Sequence, residues 1–181
     1  MLVNHLRLFI ISAVLLFTLS GCQSGDRKEI SEVIQNYNQN LPAALVRPNP
    51  EVMDPFIGEK EKVHIFTYIT RLMTENKVMD SKLLDLKIKD IEFSKSGSKQ
   101  PIKKLRGSGT AEIAIYAVAH TREKWEYRYL DGKTKKSLGP FKKVDYEGEY
   151  LMGKVKDKWV IELLNIVSKE QEKLQDGSKR Q

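Results

Sequence analysis

One cysteine, Cys22, stands among 181 residues. A disulfide within the chain is thereby excluded, as is a metal centre built from several thiolates. Histidine is almost as scarce. His64 falls on an expected helix beside Tyr68 and His120 on an expected strand. No His-Glu-x-x-His spacing brings two imidazoles to one face, so no metal site is expected. No Ser/His/Asp arrangement stands out, and no cofactor motif is present: Gly107-Ser108-Gly109 lacks the pattern of a phosphate-binding loop and reads as a turn. The longest apolar run, Leu8 to Leu19, is about a dozen residues against the roughly 20 that a bilayer-crossing helix needs. No internal repeat is visible.

That short run nevertheless has a context. Arg7 precedes it, and it ends in Leu19-Ser20-Gly21-Cys22, the layout of a secretory signal. The tetrapeptide resembles the lipobox of bacterial lipoproteins. The resemblance implies a diacylglycerol joined by a thioether to Cys22, further acylation by palmitate-type chains, and cleavage of residues 1–21 just before the cysteine. The residue types suit this chemistry, since a thiolate is the nucleophile that accepts the lipid and Ser20 and Gly21 are small enough to enter a protease at the membrane surface. Two or three acyl chains, at about 0.8 kcal/mol per buried methylene, give lasting attachment. The protein is therefore expected to be exported and lipid-anchored to the bacterial cell membrane or outer membrane, on its periplasmic or extracellular face. Residues 22–26 form a short tether, reaching about 3.3–3.6 Å per residue if extended. Gln23, where an aspartate would resemble an inner-membrane retention signal, favours an outer membrane if the envelope has one.

Residues 27–167 suit one domain with a core of its own. Ile30, Val33, Ile34, Tyr37 and Leu41 recur at helical spacing, and Pro42 and Pro48-Asn49-Pro50 then punctuate the chain. A second helix is expected from Glu59 to about Asn76, with Val63, Phe66, Ile69, Thr70 and Met73 on its apolar face. From Lys82 the period becomes two: Leu84, Leu86 and Ile88, then Ile91 and Phe93 in the opposite phase, which implies a bulge near Lys89 and Asp90. A basic loop from Lys95 to Gly109 leads to a long strand opening at Thr110, expected to be covered on both faces at one end and wet on one face at the other. Asp131-Gly132 opens a hairpin that closes at Gly139-Pro140. The next strand carries Val144, Tyr146, Tyr150 and Met152 on one face, with Gly148 marking a bend. Trp159 to Val167 is the most apolar strand and is expected to be central. The polar tail, residues 168–181, is expected to fray.

This order predicts an α+β fold: two N-terminal helices packed on a curved antiparallel sheet of about four strands, a cone-shaped roll. Through the Glu59 to Asn76 helix, Glu123-Lys124-Trp125 in a long strand, and the closing Lys158-Trp159-Val160-Ile161, it resembles the nuclear transport factor 2-like (cystatin-like roll) domains. That resemblance implies a pocket between sheet and helices, and enzymes of the family use an acidic or histidine base there. No such motif can be placed residue by residue. Glu123 is the one carboxylate on the otherwise apolar face of the long strand, where burial would raise its pKa and suit it to act as a base. The favoured alternative is a bulge or rim position that leaves it solvated or paired with an Arg or Lys. Trp125, Tyr127, Tyr129, Tyr146 and Trp159 are candidates for lining a ligand cavity, or are simply core and cross-strand pairs.

The net charge of +7 survives removal of residues 1–21 almost intact, because only Arg7 is lost. Cations gather in two loops, one with Lys95, Lys99, Lys103, Lys104 and Arg106 and the other with Lys133, Lys135, Lys136, Lys142 and Lys143. An exported chain has no nucleic acid to meet, so these suit an anionic envelope surface or a solvated exterior. The expected function is that of a non-enzymatic lipoprotein that binds a small apolar ligand or a partner protein in the envelope. The alternative is a small enzyme of the same fold, an isomerase, dehydratase or hydrolase using a cavity carboxylate.

Overall fold

The computed structural model describes residues 2–107 and 111–171, with side chains for 24–107 and 111–168. Two helices, α1 (Leu2–Val46) and α2 (Glu59–Thr74), precede six strands: β1 (Lys77–Phe93), β2 (Lys103–Arg106), β3 (Glu112–Ile115), β4 (Ala117–Asp131), β5 (Lys142–Val155) and β6 (Lys158–Gln171). The helices pack on a four-stranded antiparallel sheet in the order β1-β4-β5-β6, and β2 and β3 form a separate two-stranded ribbon. The class is α+β, as the change of period from helical spacing to alternation predicts.

In α1 the expected stripe is the buried one: Ile30, Ile34, Tyr37, Ala44 and Leu45 enter the core, with Val33 and Leu41 packed against them. Two details differ from the sequence reading. Pro42 lies inside the helix rather than at its end. The missing amide costs a helical hydrogen bond, but stopping there would expose Ala44 and Leu45, and the ladder resumes with Arg47 N–H donating to Ala43. Residues 22–26 are also helical backbone rather than an extended tether, so the span from Cys22 to Asp26 shrinks to about 1.5 Å per residue. The Cys22 side chain lies outside the described residues. Among the described residues, no helix is long and apolar enough to cross a membrane.

Helix α2 is rotated from the expected face. Ile65, Ile69 and Leu72 are buried, whereas Val63, Phe66 and Met73 are 62%, 57% and 59% exposed. The helix carries two apolar stripes, and polar contacts at its start choose between them. Glu61 is held inward by Tyr37 and by the Leu164 amide, and the Glu162 carboxylate accepts from the Glu59 and Lys60 amides at the helix N-terminus. Gly58 precedes the helix, and a Cβ there would stand 2.2 Å from the Glu162 carboxyl carbon, so a larger residue would displace that carboxylate from the helix N-terminus.

The sheet is bent by irregularities in β1 and β6. One in β1 falls between Ile88 and Asp90, where the phase change places it; a second, between Leu83 and Asp85, leaves Leu84 exposed. β1 also begins at Lys77, ahead of the Lys82 expected. The β5–β6 register shifts opposite Glu147 and Gly148 and again opposite Leu151 and Met152, with Val167 and Glu162 as the extra residues on β6, and a Cβ on Gly148 would press on Thr121 and Leu164. The long strand expected to open at Thr110, which lies outside the described residues, is two strands divided at Tyr116. β3 leaves the sheet to pair with β2, which lies within the basic loop. The ribbon covers Val118, Leu151 and Leu163 on the face opposite the helices, so β4 is buried on both faces at its start and wet on one further along.

β6 is an edge strand, not the central one. Its apolar character comes from what covers it. The Phe56–Gly58 segment pairs with its free edge, with Ile161 N–H donating to Phe56 and Gly58 N–H donating to Ile161, both at 2.8 Å. It also runs past Val167 to Gln171 instead of fraying at Ser168; residues 172–181 lie outside the described residues.

Candidate functional site

The helices and sheet do not close along their whole length. Toward the C-terminal half of α1 they leave a cavity of about 350 Å³, within the range of small-molecule sites. α1 contributes Tyr37, Leu41 and Leu45, and α2 contributes Glu61, His64, Ile65 and Tyr68. Met79 and Ser81 come from β1, Trp125, Tyr127 and Tyr129 from β4, Val144 and Tyr146 from β5, and Leu164 and Ile166 from β6. Alternation along β4 puts Trp125, Tyr127 and Tyr129 on the concave side, so four of the five aromatic candidates line the cavity. Trp159 does not. It lies at the other end of the roll, packed edge-on to Phe93 with ring centroids 6.2 Å apart, its indole N–H donating to Asp26 at 2.9 Å. Its place in the most apolar strand signalled burial but not which end of the fold it fills.

Glu123 is neither solvated, nor paired with an Arg or Lys, nor a cavity-lining residue. It is 0% exposed, behind the aromatic wall. Its Oε1 accepts from Thr121 Oγ1 at 3.0 Å and Tyr150 OH at 2.6 Å, and its Oε2 accepts from Trp125 Nε1 at 2.9 Å and Tyr146 OH at 2.6 Å. Four neutral donors occupy both oxygens, which is how a buried carboxylate is held without a counter-cation. The network continues outward as Asn38 Nδ2 donates to Tyr150 OH at 2.8 Å. Burial, then the Glu123 charge, push the Tyr146 and Tyr150 hydroxyls well above their ordinary range, so they remain donors. The sheet register explains the arrangement: Glu123 stands directly opposite Tyr146 in the β4–β5 ladder. A carboxylate so occupied orders side chains and has no free lone pair aimed at a substrate.

The carboxylate that faces the cavity is Glu61. Only 4% exposed, it accepts from Tyr37 OH at 2.8 Å and from the Leu164 amide at 3.0 Å, with His64 Nδ1 3.8 Å away. Burial raises its pKa against the opposing pull of Leu164, Tyr37 and His64. Burial likewise pushes the Tyr37 hydroxyl up, with the neighbouring Glu61 charge adding to it. Ser81 Oγ, also on the lining, is buried without a hydrogen-bond partner among the described residues. Sequence reasoning missed Glu61. A charged residue at the first turn of a helix reads as a solvated cap, and only the rotation of α2 turns it inward.

The histidines stay apart. His64 sits at the cavity rim, and His120 lies on the opposite face of the sheet, 3.7 Å from Glu92 and 3.8 Å from Glu149. Asp90, Glu92 and His120 bring potential ligand atoms within 4.8 Å of one another, a grouping the sequence hides because Asp90 meets His120 only through β1–β4 pairing. Both carboxylates are exposed, and the neighbouring Lys89–Glu147 and Arg122–Asp145 ion pairs mark this face as a solvated mixed-charge surface.

The two basic loops lie at opposite ends. Ser98, in the first, donates to Asp26 at 2.6 Å, beside the point where α1 leads back to Cys22. The second follows Asp131, at the end where β1 begins.

No protein-family description matches the chain, and no curated protein does. Among solved structures, the intermembrane space region of the chloroplast protein ARC6 is similar in fold, with a TM-score of 0.50 and 11% identity over 75% of this chain and 91% of that one. At that identity the likeness concerns the fold alone.

Proposed function

We propose that the protein is an exported lipoprotein with a nuclear transport factor 2-like domain, anchored through Cys22, whose roll binds a small, largely apolar ligand without transforming it. The observation that carries the binding reading is the aromatic cavity with Glu123 sealed behind it: the space suits a ligand, while the carboxylate that would serve an enzyme of this fold is fully engaged. Leu19-Ser20-Gly21-Cys22 supports the anchor. The tie between Asp26 and Ser98 supports a particular seating, with Lys95 and Lys99 near an anionic bilayer surface and the Lys133–Lys143 hairpin away from it. A neutral naphthalene probe tests the binding reading. Saturable binding that quenches Trp125, and is abolished by the cavity-filling Met79→Trp, is the expected result; a probe that binds without saturation, or equally well to Met79→Trp, overturns it.

A second reading, a protein partner in the envelope, is favoured by the exposed Val63, Phe66 and Met73 stripe on α2, since contiguous exposed apolar groups mark interaction surfaces.

A further inference from the structure

The lining of the cavity goes further than apolar. Six aromatic rings face it, namely Tyr37, Tyr68, Trp125, Tyr127, Tyr129 and Tyr146, together with the Glu61 carboxylate. The chain has 31 Lys and Arg residues, yet among the described residues none lines this space, and the sole basic side chain there is His64. An aromatic face carries negative potential and attracts cations, most strongly where water is excluded. Each Glu61 oxygen accepts one bond, from Tyr37 OH and from the Leu164 amide, and a carboxylate has roughly four lone-pair sites, so capacity for a further donor remains. Elsewhere on the lining, on β1, Ser81 Oγ is a buried hydroxyl with no partner among the described residues. An anionic ligand would meet the Glu61 charge with no Lys or Arg among the described lining residues to offset it, the nearest such cation shown being Lys77, 6.0 Å from the Tyr129 ring centroid, and would be disfavoured.

We propose that the cavity selects an organic cation with an apolar body, a protonated alkyl or aryl amine whose ammonium sits against Glu61 and whose carbon skeleton lies among the aromatic rings. The inference rests on the reading of this cavity as a ligand site and specifies the ligand's charge.

A matched series separates the two claims. Hexylamine, protonated at neutral pH, hexanol and hexanoate have the same body and differ in head group; each is titrated against the full-length protein in neutral detergent with Trp125 emission as the readout. Hexylamine is expected to bind about tenfold more tightly than hexanol, with hexanoate weakest. In Glu61→Gln the amine is expected to lose its advantage over the alcohol, and continued saturable binding of the neutral naphthalene probe shows that the cavity is intact. Tyr129→Leu, a milder change at the rim, is expected to weaken the amine more than the alcohol. Hexanol equal to or tighter than hexylamine, or an amine preference that survives in both variants, overturns the cationic class while leaving the apolar site standing. Failure of all three compounds to bind overturns the site itself.

Discussion

The two ends of the roll are built from similar residues to opposite purpose. At the end from which α1 leads back to Cys22, Trp159 is sealed against Phe93, and Asp26 ties α1 to the rest of the fold by accepting from both Trp159 and Ser98. At the far end Trp125, Tyr127 and Tyr129 line the cavity, and one carboxylate, Glu61, faces it. Asp26 and Leu45 are separated by about 28 Å of helix, so a cavity reached from the far end would open away from the bilayer that Cys22 is proposed to enter. Aromatic content therefore does not distinguish core from site in this chain. What distinguishes them is whether a helix closes over the rings: the α1 stripe seats Ile30 and Ile34 at one end, while α1 and α2 leave a gap at the other.

If stability resides at the Trp159 end, Trp159→Ala should be among the most damaging single changes, costing about 3–5 kcal/mol by cavity formation and also removing a donor to Asp26. Urea unfolding of the parent and variant measures it, and a loss below about 1 kcal/mol would break the contrast between the ends. Glu123→Gln ranks next. It keeps the shape but turns one of two fully occupied acceptor oxygens into a donor facing donors, a conflict worth about 1–3 kcal/mol. A lower unfolding midpoint with unchanged ligand affinity is expected; an unchanged midpoint would mean the four-donor cradle is not what holds that layer together.

The architecture was legible because period and phase are local properties. Ile30, Ile34 and Tyr37 repeat at helical spacing in one stretch, and the phase change before Ile91 locates a bulge without knowledge of any partner strand. The site was legible only in part, because it depends on pairings far apart in sequence. Glu123 has the right phase to be buried, but its four donors come from β4 and β5 together. α2 offers two apolar stripes, and sequence alone selects the one through Val63, Phe66 and Met73; Glu61 and Glu162 select the other through tertiary contacts. β6 looks central because its edge is hidden by Phe56–Gly58, a segment with no strand signature.

The smallest effects test the comparison most finely, because the half-buried Asp26 and the buried Glu61 should respond to neutralisation with opposite signs. Burial pushes the Asp26 pKa up, but hydrogen bonds from Ser98 and Trp159 and the Lys154 charge outweigh it, so the folded value lies below the ordinary one. Its stabilisation is fully present above the ordinary aspartate range and is lost as pH falls through the depressed folded value. Asp26→Asn is thus expected to cost about 1 kcal/mol at neutral pH, with the gap to the parent closing in acid. Glu61 behaves the other way. Burial dominates its environment, its folded value is raised, and the folded state disfavours its charge above that value. Glu61→Gln can still donate to Tyr37 OH and accept from the Leu164 amide, so in the absence of ligand its midpoint at pH 7–8 should equal or exceed the parent's. The parent should gain on the variant as pH falls from the raised folded value toward the ordinary glutamate value, where protonation removes the difference. Thermal unfolding of both variants across pH 4–8 reads the two signs in one experiment. A Glu61→Gln variant that loses stability at neutral pH, in parallel with Asp26→Asn, would show that Glu61 is a structural tie like Asp26 and not a carboxylate held open to the cavity.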